Sequence, residues 1–244
     1  MDTSDFGHHI SSRFNEDLDR LRNSVLAMGG LVESQLQRAV EAVVRGDSEL
    51  GLAVARDDQR VDRMEIEIDQ ACSRIIATRQ PAAGDLRLIM AIIKAITDLE
   101  RIGDEAEKIA TLATRLATME RPADRYRELA SLAAQVQEML RAALDALARL
   151  DAKAAVQTLA MDEQVDREYD SITRQCITFM MEDPRTIGRV MNVTWVARSL
   201  ERIGDHAKNI CEYVVYMVHG RDVRHLDQAR VARELARPTA EGQG

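Results

Sequence analysis

Apolar residues along this chain recur three and four positions apart, over stretches far longer than a strand. Leu99, Ile102, Ala106 and Ile109 fall on one stripe of a helix, as do Val61, Met64, Ile68 and Cys72. The period predicts six long helices, over roughly 13–46, 48–79, 82–117, 124–150, 152–182 and 185–219. Gly46-Asp47-Ser48 and Leu150-Asp151 read as tight turns, with Asp47 and Asp151 as N-caps. Pro81 and Pro184 stand where a helix can begin but not continue. Short turns between helices of this length make successive helices antiparallel neighbours.

The pattern is written twice. Shifting the sequence by 104 lays Asp58, Val61, Asp62, Arg63 and Cys72 on Asp162, Val165, Asp166, Arg167 and Cys176. The shift is 103 at Pro81 and Pro184, then 101 where LERIGD at 99–104 recurs at 200–205. The second copy has therefore lost about three residues around its proline turn, where a loop absorbs deletions most easily. The expected fold class is all-α: two tandem three-helix bundles, at 13–117 and 124–219. A linker at 118–123 joins them, and a tail follows at 220–244.

Composition supports helices, since only 3% of residues are aromatic. The net charge of −8, with no concentrated basic face, argues against nucleic-acid binding. No apolar run reaches the length of a membrane span, and MDTSDFGHHISSRF has no apolar core of a secretory signal. Cys72, Cys176 and Cys211 lie within helical patterns and read as reduced core thiols of a cytoplasmic protein.

Within LERIGD, the Leu and Ile are core, but the remaining residues are costly choices. Glu100 and Asp104 repel at i, i+4, as do Glu201 and Asp205. Gly103 and Gly204 each cost about 1 kcal/mol against Ala inside a helix. Locally unfavourable choices, made twice, point to a benefit outside the helix. On the second helix, Asp58, Asp62, Glu65 and Asp69 form an acidic line. In the second copy the matching positions are Asp162, Asp166, Tyr169 and Thr173. Such rows are ordinarily solvated faces, here with Arg101, Lys108, Arg202 and Lys208 nearby to balance them. The alternative is a site for a hard cation: carboxylates without His or Cys suit Mg²⁺, Ca²⁺, Mn²⁺ or iron better than zinc or copper.

Phosphate-binding, nucleophile-elbow and HExxH motifs are absent. His206, matched by Glu105 in the first copy, reads as a surface or half-buried histidine before a phosphotransfer residue. Met28, Met64, Met90, Met180, Met191 and Trp195 read as core.

Three stretches carry a family resemblance: the paired LERIGD, DxxVDRMEIEID at 58–69 with PAAGDLR after it, and MGGLVESQLQRAVEAV at 28–43. Together they resemble the PhoU family of phosphate-specific transport system accessory proteins, over nearly the whole chain. The resemblance implies an all-helical, cytoplasmic, commonly dimeric protein that is not an enzyme. It implies a negative regulator of the phosphate-starvation response and phosphate uptake. The implied partners are a phosphate-sensing histidine kinase, the ATPase subunit of the phosphate ABC transporter and a second copy of the chain. Contact with the membrane would come only through those partners.

The family's E/D-x-x-x-D metal motif falls on Glu100–Asp104 and Glu201–Asp205. Asp58–Asp62 and Asp162–Asp166 share its spacing, and Glu65 and Asp69 extend the first row. The implied cofactor is a divalent or trivalent ion: iron, Mg, Mn, Ca or Zn. Tyr169 and Thr173, and the lack of a match for Asp85, predict that the first unit binds metal more tightly. A metal-dependent phosphohydrolase and a metal-buffering protein are the competing functions.

Overall fold

The computed structural model describes residues 3–81, 83–120 and 126–223, with side chains from residue 13. The described α-helices are α1 (Thr3–Arg45), α2 (Ser48–Asp57), α3 (Gln59–Arg79), α4 (Ala83–Ala117), α5 (Arg127–Arg149), α6 (Ala152–Leu159), α7 (Asp162–Glu182) and α8 (Ile187–His219). A 3₁₀ turn over Pro184–Thr186 leads into α8. Residues 121–125 of the expected linker and second bundle, and 224–244 of the expected tail, lie outside the described residues. Helix α1 begins well before the expected start at 13.

Both expected caps form. Leu50 N donates to Asp47 Oδ1 at 3.0 Å, and Ala154 N donates to Asp151 Oδ1 at 2.9 Å. Each is worth about 1 kcal/mol of helix stability. The residue before each cap is left-handed: Gly46 at φ 68° and its counterpart Leu150 at φ 51°. Glycine takes that conformation freely, whereas leucine is strained in it.

The second helix of each unit is interrupted, at Asp58 and at Ala160-Met161. The backbone stays right-handed helical at all three residues. The breaks are therefore kinks within one rod, which keeps six rods. Tighter i→i+3 bonds mark them, from Val61 N to Asp58 O at 2.8 Å and from Gln164 N to Met161 O at 3.0 Å.

Helix α4 packs on α1, α2 and α3, and α8 packs on α5, α6 and α7. Each unit is thus a three-helix bundle. The two units also meet, because α4 and α8 lie against each other. One continuous apolar core results, with Leu99, Ile102, Ala106, Ile109 and their repeats Leu200, Ile203, Ala207 and Ile210 fully buried. Cys72, Cys176 and Cys211 are buried free thiols, and burial pushes Cys72 and Cys211 up to about 12. No helix among the described residues is long and apolar enough to cross a membrane.

Three residues expected in the core are outside it. Trp195 is 56% exposed, and Met90 and Met191 are exposed as well. Met191, Trp195, Arg198 and Arg202 follow i, i+4, i+7, i+11 along α8, and all four face solvent. Trp195 therefore belongs to a charged, uncovered face. Met28 is fully buried, as expected, whereas Met64 and Met180 are half-buried.

Candidate functional site

The two glycines of LERIGD have a packing reason. A Cβ on Gly103 would stand 3.1 Å from Asp58 Oδ1 and 3.3 Å from Val61 Cγ1. Gly204 faces Val165 Cγ1 at 3.3 Å and Met139 Sδ at 3.9 Å. What benefits from the missing side chain is the neighbouring rod, which approaches α4 or α8 closely at its kink. In the first unit that approach carries the Asp58 carboxylate toward the Glu100–Asp104 row.

The two acidic rows of the first unit act on each other. Burial, then the charges of Asp62, Asp104 and Glu107, push Asp58 up to about 6. The hydrogen bond from Gln35 Nε2 to Asp58 Oδ1, at 3.5 Å, pulls the other way. Glu100 is raised by burial and then by Asp104, Glu65, Asp62 and Asp58. Glu65 is raised by burial, Asp69 and Asp62, against a hydrogen bond with Thr97. The fold therefore gathers Asp58, Asp62, Glu65, Glu100 and Asp104. It adds Glu107, which the motifs do not point to. Asp69 stands exposed at the far end of the row. Beneath Asp58, Gln35 is buried and its Oε1 has no hydrogen-bond partner.

The second unit holds Asp162, Asp166, Glu201 and Asp205 in matching places, but cations have joined them. The Lys208 ammonium lies against Asp162 Oδ2. Burial works against the charge on Lys208, yet Asp162, Glu212 and Asp205 outweigh it and hold the amine above its ordinary range. Arg198 donates to Glu201 Oε1 at 2.7 Å and lies 5.9 Å from the Tyr169 ring centre. Glu201 Oε2 is buried without a hydrogen-bond partner. Asp205 is raised by burial and Asp162, while Lys208, His206 and Arg198 pull it down. Asp166 is raised by burial, Asp162 and Asp205, against Lys208.

The basic residues expected to balance the rows mostly turn elsewhere. Lys108 and Arg202 pair with buried Glu105, at 3.1 and 3.0 Å, and Arg101 is exposed. His206 is not at the surface: it is 7% exposed, with Nδ1 2.7 Å from Asp98 Oδ1. Asn209 and Tyr213 donate to the same Asp98 carboxylate at 3.0 and 2.8 Å. The reason is that α4 covers this face of α8. Asp98, missed by the sequence motifs, thus anchors a buried polar contact between the two units.

No group of three or more His, Cys, Asp or Glu side chains is posed to hold a metal ion among the described residues. The donor chemistry of the first unit nevertheless fits a hard cation: all-oxygen, mutually repelling, with an unpartnered amide oxygen beside it. The second unit fits poorly, because Asp162 and Glu201 already carry side-chain cations.

The PhoU domain model matches residues 25–113 and again 129–214. The phosphate-specific transport system accessory protein PhoU homolog of Pseudomonas aeruginosa is 50% identical over 228 residues, covering 93% of this chain and 94% of that protein. The crystal structure of PhoU from Pseudomonas aeruginosa superposes with a TM-score of 0.83, covering 85% of this chain and 100% of that one. The phosphate transport system regulatory protein PhoU from Streptococcus pneumoniae, 28% identical, gives a TM-score of 0.80 over 86% of this chain and 99% of that one. With two copies of the domain and a half-identical relative along nearly its whole length, the chain belongs to the PhoU family.

Proposed function

We propose that this chain is a non-catalytic, cytoplasmic regulator of phosphate uptake. It restrains the phosphate-starvation response when phosphate is plentiful. It does so as a homodimer that docks on a phosphate-sensing histidine kinase and on the ATPase subunit of the phosphate ABC transporter. One observation carries this: a relative half identical over 93% of the chain is named a phosphate-specific transport system accessory protein. Exposed apolar side chains on α4 and α8, including Leu86, Met90, Met191 and Trp195, support docking.

In this reading Asp58, Asp62, Glu100 and Asp104 hold a hard metal ion, with Glu65, Asp69 and Glu107 bordering it. Glu201, Asp205, Asp162 and Asp166 are the corresponding ligands of the second unit. A bound ion supplies positive charge that offsets the repulsion between the rows. The chain's own part is mechanical. The α2–α3 kink and Gly103 bring one carboxylate row against the other, so binding there ties the second helix of the unit to α4.

The test is co-purification of the full chain with the kinase and with the ATPase subunit, at high and low phosphate. Capture of either partner is expected. Binding of neither partner, with phosphate both high and low, overturns the reading. Metal analysis beside a Glu100→Ala/Asp104→Ala variant tests the site, and unchanged metal content in the variant discards it.

A further inference from the structure

We propose that Lys208, with Arg198, is a tethered cation that takes the place of a metal ion in the second unit, leaving the first unit as the metal-responsive half; this rests on the first row being a metal site. Lys208 stands where the first unit has Glu107, and Arg198 stands where it has Thr97. Tyr169 replaces Glu65, Thr173 replaces Asp69 and Met139 replaces Gln35. Four of these exchanges add positive charge or remove negative charge, and the fifth replaces a polar amide with a thioether.

The exchanges also cooperate. Tyr169 is not merely a lost carboxylate, since its ring flanks the Arg198 guanidinium that pairs with Glu201. Lys208 lies against Asp162, a residue only 7% exposed at the first position of α7. A divalent ion entering there must displace an ammonium that is carried on the adjacent helix and so is always at hand. It must also leave that ammonium without its main partner. Arg198 and Lys208 already hold Glu201 Oε1 and Asp162 Oδ2, which leaves an entering ion fewer open carboxylate oxygens than the first unit offers. Among the described residues of the first unit no side-chain cation pairs with Asp58, whose charged neighbours Asp62, Asp104 and Glu107 are acidic and whose hydrogen-bond partner is the neutral Gln35.

The experiment is Mn²⁺ titration of the full chain, read both as bound Mn²⁺ and as the shift of Tm with Mn²⁺. The Asp58→Asn/Asp104→Asn variant is expected to lose Mn²⁺ binding and the Tm shift. Adding Lys208→Glu/Arg198→Thr to that variant is expected to restore both. Lys208→Gln/Arg198→Thr, which adds no negative charge and keeps the fold safer, is expected to restore them more weakly. Two results overturn the proposal. One is Mn²⁺ retained by Asp58→Asn/Asp104→Asn and lost on further change of Asp162→Asn/Asp205→Asn. The other is no gain of Mn²⁺ from either Lys208 variant when circular dichroism shows both folded. A parent chain that binds no Mn²⁺ overturns the first-row reading alone, and the Lys208 variants are then judged by their own gain.

Discussion

Gln35, Asp58 and Glu107 in the first unit occupy the places of Met139, Asp162 and Lys208 in the second. The scaffold around them is alike: an interrupted rod, a glycine on the helix it approaches, and acidic residues one turn apart. What differs most is side-chain charge. In the first unit the carboxylates repel, and Asp58 is driven up to about 6. In the second, Lys208 and Arg198 offset part of that repulsion from within the chain. A duplicated fold can therefore keep its scaffold while its two sites diverge in what they need from outside.

The sharpest break in the symmetry is at the contact between units. Asp98→Ala removes the acceptor shared by His206, Asn209 and Tyr213, and is expected to cost about 3 kcal/mol in urea unfolding. Its counterpart Ser199 should tolerate Ala within about 1 kcal/mol. Equal losses would mean that the two halves of the contact matter alike.

A smaller effect is expected at Gly51, where α2 meets α4. A Cβ there would stand 2.7 Å from the Ala110 carbonyl oxygen, which as backbone cannot turn away. Gly51→Ala should lose about 2 kcal/mol, although the second unit carries Ala155 at the matching place. Thermal melts that show Gly51→Ala to be stabilising would mean that α2 and α4 can separate at no cost.

Next comes Lys208→Met, which uncovers Asp162. Because the ammonium is partly exposed, the expected loss is about 1 kcal/mol rather than that of a fully buried pair. Glu107→Gln, at the same place in the first unit, should show no loss, since it removes a repelling charge from Asp58.

The mildest contrast is in pH dependence. Asp58 binds its proton more tightly folded, at about 6, than at its ordinary value of 3.8. Its ionisation therefore opposes folding above about 6, and that opposition fades as the pH falls toward 3.8. Asp58→Asn should be more stable than the parent at neutral pH, with an advantage that shrinks as the medium is acidified. An advantage that grows on acidification would show that Asp58 is stabilised as the anion.

Much of this was legible in the chain. The duplicated pattern, the caps at Asp47 and Asp151, and the core stripe of LERIGD each depend on residues within a few turns of one another. The acidic rows were legible for the same reason. Lys208 was legible as a cation balancing the acidic rows, whereas Arg198 and Glu107 were visible only as positions in the alignment of the two copies. Nothing local says that Lys208 reaches Asp162, which precedes it by 46 positions. His206 and Trp195 were misplaced for a related reason. A helix at the centre of two bundles buries a second face, and its uncovered face is decided by what packs against it.

By itself, then, the sequence determined the helices, their turns, the repeat and the residues able to bear negative charge, because hydrophobic period and capping act over short range. The tertiary structure alone decided which charges face one another. It set α4 against α8, buried Asp98 with His206, and let Gly103 and Gly204 admit the kinked rods. Those outcomes come from packing between faces far apart in the chain, where burial and Coulomb energy depend on distances that no local pattern encodes.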